Sequence, residues 1–219
     1  MKMGRIGLLA LALASVAASP AHAEKGKPEL TQQTKDSGGA LIPAQAAMRF
    51  DNADLSFEIF PEREQIAGVA TLKFTAEQPL DKLVLDLDRN LPVTAVSIDG
   101  RALPASAWSN PEGRLTITLP KRLARGASTT ARITYGGTPH VAVNAPWAGG
   151  FVWAKTESGK PWVATAVQGE GCDLFWPCID HPTGEPDWVA LHITVPEGLA
   201  APSNGVLERI EKLSDGRST

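Results

Sequence analysis

Cysteine is scarce in this chain: Cys172 and Cys178 are the whole supply in 219 residues. The small disulfide-stapled scaffolds of secreted domains need more. A thiolate metal centre needs more as well, because no second Cys or His pair lies near these two. No run of Lys and Arg occurs and the formal net charge is −3, so the basic footprint of a nucleic-acid binder is missing. Long apolar runs are missing too. The one continuous run, residues 6–18, is shorter than the ~20 residues a membrane-spanning helix requires. Beyond residue 23 no segment carries a helical apolar stripe of three turns, which argues against a helical domain.

The short apolar run belongs to a different object from the rest. Lys2 and Arg5 precede it, and Ala21-His22-Ala23 follows with small residues where signal peptidase requires them. Residues 1–23 are therefore expected to be a signal peptide with Glu24 as the first mature residue. The destination is the bacterial periplasm or the outside, with no membrane span after cleavage. Without Lys2 and Arg5, 19 basic residues face 24 acidic ones, about −5. Export permits a disulfide. Five residues separate the two cysteines. An extended strand would hold their Cα atoms beyond the ~7 Å a bridge tolerates, whereas a turn or helical segment would bring them close enough. Both outcomes stay open.

Residues 24–47 contain Gly26, Pro28, Gly38, Gly39 and Pro43 without periodicity and read as a flexible lead-in. From Met48 the pattern is one of short strands. Leu55, Phe57 and Ile59 alternate with polar residues, as do Ala70, Leu72, Phe74 and Ala76 after a turn near Pro61–Gln65. Leu83, Leu85 and Leu87 form one face. Residues 93–98 run into Asp99-Gly100, a hairpin signal because glycine accepts the positive φ of a type I′ turn. Leu115, Ile117 and Leu119 stop at Pro120, and Ala131, Ile133 and Tyr135 stop at Gly136-Gly137. Val189, Leu191, Ile193 and Val195 alternate near the end. The fold class is all-β, an antiparallel β-sandwich or related open sheet. Residues 137–185, rich in Gly, Pro and Trp, form the expected irregular, functional edge.

Within that edge a strand-like run from Val163 leads to Gln168 and Glu170, flanked by glycines. On an extended backbone two residues this far apart point the same way. A carboxylate and an amide carbonyl side by side accept hydrogen bonds from an ammonium group, and the carboxylate supplies charge. Composition alone favours a solvated loop.

Gln168-x-Glu170, a spacer, then Trp176-Pro177-Cys178-x-Asp180-His181-Pro182 resembles the stretch that closes the N-terminal domain of M1 zinc aminopeptidases. Residues 188–205, with Val195-Pro196-Glu197-Gly198 and Ser203-Asn204-Gly205, are similar to a second block of that family. Weaker similarity reaches back to about residue 50. The resemblance implies a saddle-like β domain over residues 48–210, with 211–219 leading into a catalytic domain expected beyond Thr219. It implies that Gln168 and Glu170 bind the free α-amine of peptide substrates, which measures one residue from a chain end. It implies zinc, held by the catalytic domain. This chain has no His-Glu-x-x-His: its histidines are His22, His140, His181 and His192, and no two are four apart. The family's Gly-x-Met-Glu-Asn motif is absent as well. No catalytic residue and no metal ligand is therefore expected here, and no peptidase activity from this segment alone. Asp180, Glu185 and Asp187 near His181 resemble a metal cluster only superficially, because acids on a proline-rich turn are usually solvated. Two departures stand out. Cys172-Asp173 replaces a common Ala-Arg, and Glu185-Pro186 replaces a Lys-Ala; both remove a cation, and Asp173 adds an anion.

Two other readings compete. One is a non-catalytic exported β-sandwich that binds peptide or carbohydrate through Trp147, Trp153, Trp162 and Trp176. The other is a chaperone-like sandwich acting by strand addition, for which no residue speaks.

Overall fold

The computed structural model describes residues 29–145 and 147–219. The expected signal peptide lies outside the described residues. Among the described residues, eleven strands follow two one-turn helices, α1 (Gln32–Lys35) and α2 (Pro43–Ala46). The long strands β1 (Met48–Phe60) and β2 (Gln65–Ala76) open the fold, followed by β3 (Leu80–Asp86), β4 (Val93–Ile98) and the short β5 (Arg101–Ala102). Then come β6 (Trp108–Ser109), β7 (Arg114–Leu123), β8 (Ser128–Gly137), β9 (Gly150–Lys155), β10 (Pro161–Ala166) and β11 (Trp188–Thr194). A six-stranded sheet runs β11-β1-β2-β8-β4-β5, a three-stranded one β3-β7-β6, and β9 and β10 form a separate hairpin. The all-β expectation holds.

Alternation decides which faces meet. Leu55, Leu72, Phe74 and Ile133 from the large sheet and Leu83, Leu85, Leu115 and Ile117 from the small one are at most 2% exposed and belong to one core. Burying a Leu, Ile or Phe this fully contributes about 1.5–3 kcal/mol each. The 99–100 turn takes the expected form, with φ of 50° at Asp99 and 78° at Gly100. Strand β7 runs past Pro120 instead of stopping there. Pairing jumps from Lys82↔Thr118 to Leu80↔Leu123, so the residue without an N–H sits in a bulge, where no ladder bond is required.

Three expectations need correction. The sheet is not wholly antiparallel, because β11 lies parallel to β1 with Asn52 opposite Trp188. Parallel pairing needs a long crossover, and the rest of the domain supplies it. Alternation in β11 also fails to predict burial: Val189 is 45% and Leu191 37% exposed on this edge strand. Finally, residues 29–47 are packed. Thr31 caps α1 by accepting from the Thr34 N–H and donates its hydroxyl to the Glu112 carbonyl at 2.6 Å. Helix α2 packs on β3, where Val84 is buried on the face opposite Leu83 and Leu85. A strand with both faces covered does not alternate, and the lead-in provides part of the second cover.

Candidate functional site

Residues 163–182 form a plug over their middle part, 173–179, while both ends of the stretch reach the surface. After β10 the chain makes a turn closed by the Gly171 N–H donating to the Val167 carbonyl at 2.9 Å. Gln168 and Glu170 sit in this turn, so they are not aligned by an extended backbone. Gln168 is exposed and Glu170 half-buried. Beyond the turn the chain dives inward: Leu174, Trp176, Cys178 and Ile179 are all at most 8% exposed. Trp176 meets Phe50 with ring centroids 6.0 Å apart. Cys178 exchanges two backbone hydrogen bonds with Asp86, of 2.8 and 3.0 Å, adding a rung to the end of β3.

The cysteines form a disulfide, with Cα atoms 6.3 Å apart. A short 3₁₀ turn at Cys172–Leu174 closes the distance an extended strand would leave. The plug is thus tied at its entrance, within two residues of Glu170. Gly171 precedes it with φ of 93°, and a β-carbon there would lie 2.1 Å from Asp180 Oδ1. Only glycine fits this junction.

Glu170 is held in place. Its Oε2 accepts the Gly149 backbone N–H at 2.8 Å. Gly149 follows a tight turn in which Asn144 and Ala148 exchange backbone hydrogen bonds of 3.1 and 2.9 Å, and Trp147 on that turn is 72% exposed. Among the described residues no hydrogen bond reaches Gln168. The four tryptophans do not form one platform. Trp176 is in the core, and Trp153 stacks on Phe151 at 5.4 Å, while Trp147 and Trp162 are exposed.

Beneath the plug lies an acidic cluster that sequence patterning did not reveal. Asp86, Asp88 and Asp173 are 6%, 0% and 1% exposed. Burial raises the pKa of Asp173 to about 9, and the charges of Asp180, Asp86 and Asp88 push the same way. Asp86 is also raised by burial, against hydrogen bonds from the Asp180 N–H and Gln45 and the charge of Arg114. Asp88 is raised by burial against hydrogen bonds from Asn90. The one advance sign was the replacement of a common arginine by Asp173. Gln45, Asp86, Arg114, Asp173 and Asp180 line a cavity of about 30 Å³, room for about one water. A more open cleft of about 290 Å³ separates the 61–64 turn from the β9–β10 hairpin. Neither is lined by Gln168 or Glu170.

No described group of three His, Cys, Asp or Glu residues is placed to hold a metal. His181 Nδ1 instead contacts the Thr183 hydroxyl at 2.8 Å and its N–H at 3.1 Å. Asp187 faces Arg49 at 3.5 Å. The described residues do not fit zinc.

Residues 50–219 match the peptidase M1 N-terminal domain. Among solved structures, an M1 zinc metallopeptidase from Deinococcus radiodurans bound to a Tyr-Ser-Ala substrate superposes with a TM-score of 0.63 at 25% identity, over 78% of this chain and 38% of that one. A two-domain M1 zinc metallopeptidase bound to L-arginine gives 0.66 at 24% identity, over 84% and 40%. The chain spans about two fifths of these structures. No curated protein matches it.

Proposed function

The chain belongs to the peptidase M1 family through its N-terminal domain, and from that premise we propose that it is the substrate-end clamp of an exported zinc aminopeptidase. Gln168 and Glu170 bind the free α-ammonium of a peptide. The zinc and the water-activating chemistry belong to a catalytic domain C-terminal to Thr219. In this division Gln168 and Glu170 bind and orient the peptide. A fixed carboxylate at the edge of the site favours a chain terminus over an internal peptide bond, because only the terminus carries an ammonium to pair with it.

The observation that carries this reading is the anchoring of Glu170. Its carboxylate is tied on one oxygen by Gly149, half-buried, and followed at once by a disulfide-closed plug. A carboxylate in a merely solvated loop would need none of that support. The test is kinetic. In the full-length peptidase, E170A raises KM for free-amine peptides about tenfold or more, the scale of a lost charge-assisted hydrogen bond, while N-acetylated peptides remain poor substrates for both forms. An unchanged KM removes the role. N-terminal sequencing of the exported protein checks the compartment: it should begin at Glu24.

A further inference from the structure

We infer that Gly149 is a positioning residue for Glu170: its backbone N–H occupies one carboxylate oxygen and so presents the other, singly, to the substrate amine. The inference rests on the clamp reading above and assigns that clamp a second half, contributed by a loop 21 residues upstream.

The geometry is specific to this glycine. Gly149 is buried, and a β-carbon on it would meet the Ala166 carbonyl oxygen at 1.9 Å and Glu170 Oε2 at 2.6 Å. The end of β10 therefore passes too close for any side chain, and that closeness puts the Gly149 N–H within reach of Glu170. The approach is enforced from both sides. Ala166 pairs with Gly150 at the end of the β9–β10 ladder. On the other side the Asn144–Ala148 turn fixes where Gly149 begins, and Gly169 is close enough that its β-carbon would lie 3.1 Å from the Trp147 carbonyl. Two loops are thus locked back to back, and Glu170 is the side chain shared between them.

The chemical consequence follows from counting acceptors. A carboxylate has two oxygens, each able to accept. With Oε2 engaged by the backbone, the carboxylate plane is set before any ligand arrives, and Oε1 is left for an ammonium N–H. Binding then avoids most of the rotamer ordering that a free glutamate would require. Among the described residues nothing equivalent holds Gln168.

Two measurements test this. On the chain itself, hydrogen exchange at the Gly149 amide should speed up about tenfold in E170A and stay near wild type in E170Q, whose side-chain carbonyl still accepts. In the full-length peptidase, E170Q should raise KM although Gly149 stays protected, because the charge is gone. G149A should raise KM for free-amine substrates about tenfold with kcat changed less than about twofold. Full zinc content and an unaltered melting transition would show that the variant is folded. If E170A leaves KM unchanged, the clamp reading itself fails. If E170A raises KM but Gly149 exchanges at the wild-type rate in E170A, the clamp stands and the positioning role is overturned. A folded G149A with wild-type KM overturns it equally.

Discussion

Tyr135 and Gly68 face each other across β8 and β2, and the pairing explains why a glycine sits in the middle of a central strand. A β-carbon at Gly68 would come within 2.3 Å of the tyrosine ring, so the ring lies over the neighbouring backbone and its hydroxyl reaches the Phe175 carbonyl at 2.9 Å. This hydrogen bond ties the large sheet to the plug. Y135F leaves that carbonyl without its donor and should cost about 1–3 kcal/mol, read from urea denaturation; stability equal to wild type would show that the tie is dispensable. Asp173 makes a prediction of a different kind. Its folded-state pKa, about 9, stands above the ordinary 3.8, so between those values the folded chain keeps a proton that the unfolded chain has released. The stability due to that proton is complete below about pH 4 and is lost as pH rises towards about 9. D173N should therefore gain on the wild type as pH rises from 5 to 9, by at most about 1.4 kcal/mol per pH unit. Parallel stability profiles for the two proteins would refute it. Asp86 and Asp88 are displaced in the same direction, so D173N keeps a residual slope of the same sign.

Among the elements, β1, β2, β7 and β8 were legible in the sequence because each has one face in the core, which forces apolar residues into a period of two. Strand β3 was less so: its second face is covered by the lead-in, a contact between segments some 40 residues apart, such as Gln45 donating to Asp86 at 2.7 Å. Strand β11 carries the right residues and the wrong burial, since an edge strand is dry only where a neighbour happens to lie. The proposed pair, Gln168 and Glu170, was suggested by its residue types and mainly by family resemblance. Spacing suggested an extended pair, whereas the chain turns between Val167 and Gly171. Gly149 could not be found in advance, because its part is played by a backbone N–H with no side-chain signature. The disulfide was undecidable for a related reason: the 3₁₀ turn that makes it possible has no pattern of its own. Closing so short a loop should stabilise the chain by about 2 kcal/mol. C172S should lower the melting temperature and speed hydrogen exchange across 168–175. If only the melting point moves, the bridge supports the plug but not the Glu170 turn.

Among the described residues, two runs of apolar groups lie uncovered besides Val143, Trp147 and Trp162. Trp188, Val189 and Leu191 are 52%, 45% and 37% exposed, and Val206, Leu207 and Ile210 are 91%, 74% and 64% exposed. Groups like these mark surfaces made to meet another surface. Hydrogen exchange over 188–191 and 206–210 should slow when the domain is joined to the catalytic domain proposed above, and equal rates would argue that these residues face water in both. The isolated chain should release no arylamine from aminoacyl-arylamides at any zinc concentration, and chelator-sensitive turnover would contradict the division of labour proposed above. The parallel pairing of β1 with β11 has a consequence in time. Asn52 and Trp188 are 136 residues apart, so at ribosomal rates of about 5–20 residues per second β1 waits some 7–27 seconds for its outer neighbour to be made. Through that interval its edge offers open backbone groups to any passing strand. Arg49, Asp51, Asp54 and Glu58 lie along it, and their charges are suited to keeping strangers off until the proper partner emerges.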